Sequence, residues 1–369
     1  MTNCDATEHF VTLFDKNFLP QGMALHHSLC RHSATAQLWV VCLDEQVEQH
    51  LSQLNLDRLT LIPLCAMEQE HPRLIQARSD RNWRSYCWTL SPFVLQAVFD
   101  REPSARRVTY LDADLFFFDN PDILLRELDT SDRHVQITEH AYAPEYDQSR
   151  ISGRFCVQFL TFDCSPQARR VMTWWQDRCV EWCHDDLENG QFGDQKYLDQ
   201  WPQLFGPIVH IVRQVEKTLA PWNVRHFSNC GTENALTPVF YHFHGLRIVS
   251  PRRALLYEYY RVSEAGLRLY RDYTAVLFDC LDRLRHHGIP VPLFPLPVLK
   301  APHWLKRAIT RIRQLRGHIG GQVFGDLAAS RPALESAGRA FDVEVKPGAC
   351  ERVRAEQVPQ SRPNTSSLY

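Results

Sequence analysis

Short apolar runs alternate with longer amphipathic stretches through the first two thirds of the chain. Residues 10–14 (F-V-T-L-F), 38–43 (L-W-V-V-C-L) and 59–64 read as buried strands. The D-K-N-F-L-P after the first run breaks it ahead of a helical pattern over 21–30, and a second helical stretch, 45–54, separates the next two runs. Strands alternating with helices imply a doubly wound, mostly parallel α/β sheet, whose ligands gather beyond the carboxyl ends of its strands. That places Asp15, Lys16 and Asn17 in a ligand-facing loop.

An amphipathic helix over 81–99 feeds a strand at 108–119, and N-P-D-I-L at 120–124 stops that strand and starts a helix. Further strands are expected at 136–139 and 155–162, and a helix at 167–184 carries Trp174, Trp175 and Trp182, whose natural use is packing. G-Q-F-G-D-Q-K-Y-L-D-Q-W at 190–201 sets Asp194 and Gln195 after a glycine turn and before a helix, where polar groups can meet a ligand. Residues 219–224 read as a rigid turn. Residues 238–246 read as a strand with His242 and His244 on one face, closed by Gly245, where the backbone can approach a ligand.

From 251 to 289 the pattern is helical and aromatic, a flank on the sheet. A proline-rich linker follows at 290–303, then a basic amphipathic helix at 304–330, and the polar stretch 331–369 reads as a disordered tail. The segment 304–316 suits peripheral contact with an anionic membrane surface or simple solvation equally well. Residues 1–250 form the catalytic domain in this division.

The chemistry concentrates in V-T-Y-L-D-A-D-L-F-F-F-D at 108–119. Read as one extended strand, it aims Asp112 and Asp114 at a single point, where they can share a cation. Two buried, ionised carboxylates without such a partner would be costly, so the strand should end in a cleft and hold a divalent metal. Arg84, on the preceding helix, is placed as a phosphate or carboxylate ligand, with an exposed surface arginine as the alternative.

Composition narrows the partners. The 369 residues carry a net charge of -2 and 44% hydrophobic residues, which argues against nucleic acid as a partner. No stretch approaches a membrane span and the polar start lacks the regions of a signal peptide, so a cytoplasmic location is expected, peripheral to the membrane at most. The 12 cysteines show no zinc-type C-x-x-C pairs and are expected as reduced, mostly buried thiols. Cys179, Cys183 and His184 form the tightest cluster, and core packing explains it as well as a metal does.

Three stretches, Y-L-D-A-D-L at 110–115, F-G-D-Q-K-Y-L at 192–198 and H-F-H-G at 242–245, occur in the order seen in metal-dependent glycosyltransferases of the GT-A fold. Over roughly residues 10–249 the chain resembles the bacterial relatives of glycogenin and the lipopolysaccharide hexosyltransferases. The resemblance implies that Asp112, Ala113 and Asp114 form the metal and nucleotide-sugar motif and that His242 completes the metal site. It implies that Asp194 and Gln195 face the transferring sugar, that Phe14, Asp15 and Asn17 hold the nucleotide base, and that Gly245 lies at the donor. The donor would be a nucleoside diphosphate sugar and the acceptor a glycan, lipid or protein. Mn2+ or Mg2+ would stabilise the departing diphosphate, and the imidazole tilts the choice towards Mn2+.

The sequence departs from the family where many relatives show F-N-x-G and this chain has Phe155-Cys156-Val157-Gln158. That departure keeps open a non-catalytic sugar- or metal-binding protein of the same fold. A phosphohydrolase of the haloacid dehalogenase type would use the first aspartate as nucleophile, but Leu115 and Phe116 follow where that family has a threonine or valine, and His242 is left without a role. A nucleotidyltransferase would open with a glycine- and arginine-rich phosphate loop, which Asp15-Lys16-Asn17-Phe18 is not.

Overall fold

Both faces of the central sheet are covered, which is why its first strands read as unbroken apolar runs. The computed structural model describes residues 6–229, 236–256 and 260–294, together with a strand at Asp342–Glu344. β1 (Glu8–Phe14), β2 (Ala36–Cys42), β3 (Leu59–Pro63) and β4 (Arg107–Leu111) lie parallel in the order β3-β2-β1-β4. β5 (Leu115–Phe117) leaves this sheet, while β6 (Val135–Glu139), β7 (Phe155–Asp163) and β8 (Val209–Ile211) complete it in the order β4-β7-β6-β8. β7 pairs antiparallel with both neighbours and β6 pairs parallel with β8, so six of the seven strands run one way and β7 the other. The doubly wound, mostly parallel architecture expected from the sequence is present.

Alternate side chains sort into two layers. Phe10, Leu38 and Val40 face helices Leu19–His32, Glu45–Leu54 and Glu264–His286, whereas Val11, Trp39, Val41, Val108 and Tyr110 face helices Trp83–Arg101 and Pro166–Glu181. Trp175 belongs to the second layer, edge to face with Trp201 at 5.5 Å between ring centroids, so it packs as the pattern suggested. Cys179 and Cys183 are buried in the same layer. Among the described cysteines most are buried, as expected, while the thiols at Cys65 and Cys164 are exposed. At the end of β4 away from the cleft, buried Arg107 grips Glu8 with two nitrogens at 2.7 and 2.8 Å, which fixes the register of β1 on β4.

Three expectations are corrected. Residues 108–119 are not one strand: Asp112, Ala113 and Asp114 occupy a turn between β4 and β5, because the chain there passes from the large sheet into a small one. That small sheet joins β5 to β9 (Thr218–Leu219) through β10 (Phe240–His242), which pairs antiparallel with β5. His244 accordingly lies outside the strand, in a turn closed by Leu246 N–H donating to Phe243 O at 3.1 Å. Residues 251–289 are not helical throughout: β11 (Arg247–Ser250) and β12 (Arg253–Leu255) form a hairpin, and the helix starts only at Glu264, capped by the Ser263 hydroxyl.

β13 (Asp342–Glu344) adds to that hairpin from within the span read as a tail. The basic segment 304–316, and with it the membrane contact weighed above, lies outside the described residues, as does most of the linker and tail. No helix among the described residues is long and apolar enough to cross a membrane.

Candidate active site

The turn after β4 is held from two sides. Asp112 N–H donates to Gln158 O on β7 at 3.1 Å, and Phe243 N–H, just past β10, donates to Asp114 O at 2.9 Å. Because β10 pairs with β5 so that His242 stands opposite Leu115, the imidazole arrives beside the two carboxylates. His242 Nε2 lies 3.0 Å from Asp114 Oδ1 and 3.8 Å from Asp112 Oδ2. Its other nitrogen, Nδ1, donates to Gln158 Oε1 at 2.9 Å, since an amide oxygen can only accept. Gln158 therefore orients the ring and leaves Nε2 for whatever the carboxylates hold.

The electrostatics follow from burial and crowding. Burial raises the Asp112 carboxyl to about 6 against the opposing pull of His242. Half-buried Asp114 is also desolvated, but the His242 charge and hydrogen bond keep it below the usual carboxylate range. Burial alone would lower His242; the attraction of Asp114 more than offsets it, and the imidazole is held well above its ordinary value. Without a metal, the imidazolium supplies the positive charge between the aspartates. His244 is pushed down to about 4, by burial first and by the neighbouring His242 charge second, and His140 to about 3 chiefly by burial.

Asp194 comes from the far side. Gly193, at φ +54, turns the chain so that Asp194 precedes the 3-10 helix Gln195–Gln200, and Trp175 Nε1 donates to its carbonyl at 2.9 Å. The side chain is 2% exposed, Oδ2 has no hydrogen-bond partner, and burial lifts the carboxyl to about 7 in spite of a Ser91 hydrogen bond.

A cavity of about 460 Å3 brings these groups together. Asp112, Ala113, Asp114, His242, Asp194 and Gln195 line it, and so do Phe14, Asp15, Asn17 and Arg84. Asp15 caps the turn Lys16–Phe18 through Asn17 N–H at 2.9 Å, and its other oxygen accepts from Trp83 Nε1 at 3.2 Å. Arg84 lies 3.7 Å from Asp185 at the rim. Gly245, at φ +81, is not in the lining, although its turn delivers His244 there. Sequence reasoning passed over Trp83, Trp88, Tyr142 and Arg247, which also line the cavity; no motif marks them. Gln158 and Cys156 it met only as departures from a pattern, and both touch His242.

The donor set suits a divalent cation. Two carboxylates and an imidazole converge among buried groups, and the ligand atoms of Asp114, His242 and His244 all lie within 4.8 Å of one another. This is a doubly wound, mostly parallel α/β fold with an acidic turn at the carboxyl edge of its sheet. No known family profile matches the chain. The uncharacterized proteins YfnD and YfnF of Bacillus subtilis (strain 168) do. YfnD is 30% identical over 293 residues, spanning 76% of this chain and 92% of its own. YfnF is 31% identical over 257 residues, spanning 66% and 83%. The chain belongs to the family of YfnD and YfnF.

Among solved structures it is similar to the galactosyltransferase LgtC with donor and acceptor sugar analogues, at 15% identity and TM-score 0.47, covering 76% of this chain and all of that one. It is similar to the apo glycosyltransferase GlyE of Streptococcus pneumoniae TIGR4, at 15% and 0.45, covering 77% and 64%. Mouse xyloside xylosyltransferase 1 follows at 15% and 0.44, covering 65% and 98%.

Proposed function

We propose that the protein is a glycosyltransferase that moves a hexose-type sugar from a nucleoside diphosphate sugar to a glycan, lipid or protein acceptor. The observation that carries this reading is the meeting of the Asp112-Ala113-Asp114 turn with His242, 3.0 Å from Asp114, in a cavity that also receives Asp194. Asp112, Asp114 and His242 would hold a divalent cation, Mn2+ in preference to Mg2+ because one ligand is an imidazole. Bound there, the cation would act as a Lewis acid on the departing diphosphate.

The protein's own groups do the rest. Phe14, Asp15 and Asn17 line the cavity and would receive the base and ribose, and Asp15 is pre-set by its bonds to Asn17 and Trp83. Arg84 offers a guanidinium at the rim for phosphate oxygens. Asp194 and Gln195 line the same cavity; a carboxylate there would favour an oxocarbenium-like transition state, and Gln195 would orient sugar hydroxyls. The non-catalytic alternative rested on the loss of the F-N-x-G pattern, and Gln158 answers part of it by orienting His242.

The test is a thermal-shift screen against nucleotide sugars with and without Mn2+. Stabilisation by a nucleotide sugar should appear for one donor and only in the presence of Mn2+, on the order of 2.7 kcal/mol with ligand at 100 times Kd. Asp114→Asn should abolish the metal-dependent shift and turnover while the metal-free protein still folds, and His242→Ala should weaken metal binding more than His244→Ala. Turnover surviving in Asp114→Asn would overturn the metal assignment.

A further inference from the structure

β7 presents two side chains of the same strand face to His242, Gln158 and Cys156, two residues apart. Gln158 has the role described above. Cys156 is 3% exposed and lines the cavity beside His242. Its sulfur, an Asp112 oxygen and a His242 nitrogen lie within 4.8 Å of one another, a second ligand triad that shares His242 with the Asp114–His244 triad. One ion holding its ligands at ~2.0–2.3 Å spans separations up to about 4.6 Å, so small side-chain rotations bring all three onto it. The same cavity contains Asp194, whose buried Oδ2 has no hydrogen-bond partner, so the space around this triad is polar.

A core role does not account for the sulfur. Cys156 packs on Ala220 and Trp222, which an alanine or serine would also do, but its thiol faces the charged groups.

We propose that Cys156 is a further metal ligand and that, with Asp112 and His242, it gives the site a preference for sulfur-accepting divalent ions such as Zn2+ and Co2+. The inference rests on the metal site of the proposed function and narrows the ion that site takes. Oxygen and imidazole ligands alone follow the ordinary order of divalent ions; adding a thiolate raises affinity for Co2+ and Zn2+ and does little for Mg2+. Binding releases the thiol proton to solvent, and the thiolate donates an electron pair to the ion with no change of oxidation state.

The experiment is titration of the metal-free full chain with Co2+ alone, followed by absorbance and calorimetry, in wild type, C156S and D114N. The expected result is a near-ultraviolet sulfur-to-cobalt charge-transfer band in the wild type that is lost in C156S. Zn2+ affinity in C156S should fall by at least the roughly 10–100-fold that loss of an outer-shell partner costs, and Mg2+ affinity should stay within about twofold. D114N should weaken Co2+ binding, which ties the band to this cavity and not to exposed Cys65 or Cys164.

Co2+ bound without the band would overturn the thiolate ligand and leave the metal site standing. A band that persists in C156S would also overturn it. No Co2+ binding at all would remove both the ligand and the metal site beneath it. Should C156S fail to fold, the wild-type band against D114N decides alone.

Discussion

Gln158 reaches His242 from the neighbouring strand, and its amide oxygen fixes which imidazole nitrogen faces Asp112 and Asp114. Replacing it with leucine keeps most of the volume and removes the acceptor. Gln158→Leu should weaken Mn2+ binding by roughly 10–100-fold, read by calorimetric titration, with little change in the metal-free melt. Asp194 gives a second prediction at this scale. Its carboxyl sits near 7 in the folded chain against 3.8 when unfolded, because burial penalises the charge. An acid with a raised pKa loses stability as pH rises from the unfolded value through the folded one, since the unfolded chain sheds the proton first. Asp194→Asn removes that loss. In chelator, the variant should match wild type near pH 4 and exceed it above about pH 7 by on the order of 4 kcal/mol. A pH-independent difference would show that burial of the charge does not control this group.

At the level of elements, the helix Leu19–His32 lies so close to β1 that Gly22 has no room for a side chain. A Cβ there would land on the ring of Phe14, which itself lines the cavity. Gly22→Ala should therefore push Phe14 towards the donor pocket, destabilise the protein by about 1–3 kcal/mol and weaken nucleotide-sugar binding more than metal binding. Thermal melts and paired titrations with donor and with Mn2+ check both parts.

β1 and β2 were legible in the sequence because each is buried on both faces, β3 because it keeps an apolar run although it is the half-buried edge strand, and the helix Glu45–Leu54 because Asp44 and Asn55 mark its ends. The break between β4 and β5 was not: apolar residues continue on both sides of the aspartates, and nothing local says that the chain changes sheets. His242 and His244 share a site for a reason the alternation rule did not supply, since only His242 is on a strand. The hairpin of β11 and β12 was hidden by an aromatic stretch that helical packing also explains. Metal-ligand candidates could be read from residue types, but the support from Cys156 and Gln158 depends on β7 lying next to β4, a pairing no short motif records.

For the molecule as a whole, the reversed strand is what assembles the cleft. β4 brings Asp112 to its carboxyl end, and because β7 runs the other way, the start of β7 meets it there. Chain segments far apart in sequence thus place titratable groups in one cleft, and under the proposed function their titration is linked to the binding of a cation. Asp112, near 6, and His242, held well above its ordinary value, must both give up protons for a cation to bind. Stabilisation by Mn2+ should be slight at about pH 5 and grow steadily towards about pH 8, because metal binding displaces protons. A melting-temperature shift that ignores pH would place the ion elsewhere.

The wide spacing of these segments along the chain has a consequence for biosynthesis. Asp112 and Asp114 leave the ribosome long before His242, and at ~5–20 residues per second the interval is on the order of ten seconds. Through that interval β5 lacks its antiparallel partner β10, and the aspartates lack the imidazole that offsets their charge. Until the small sheet closes, the cleft is unformed, and the cluster of Asp112, Asp114 and His242 comes into being only then.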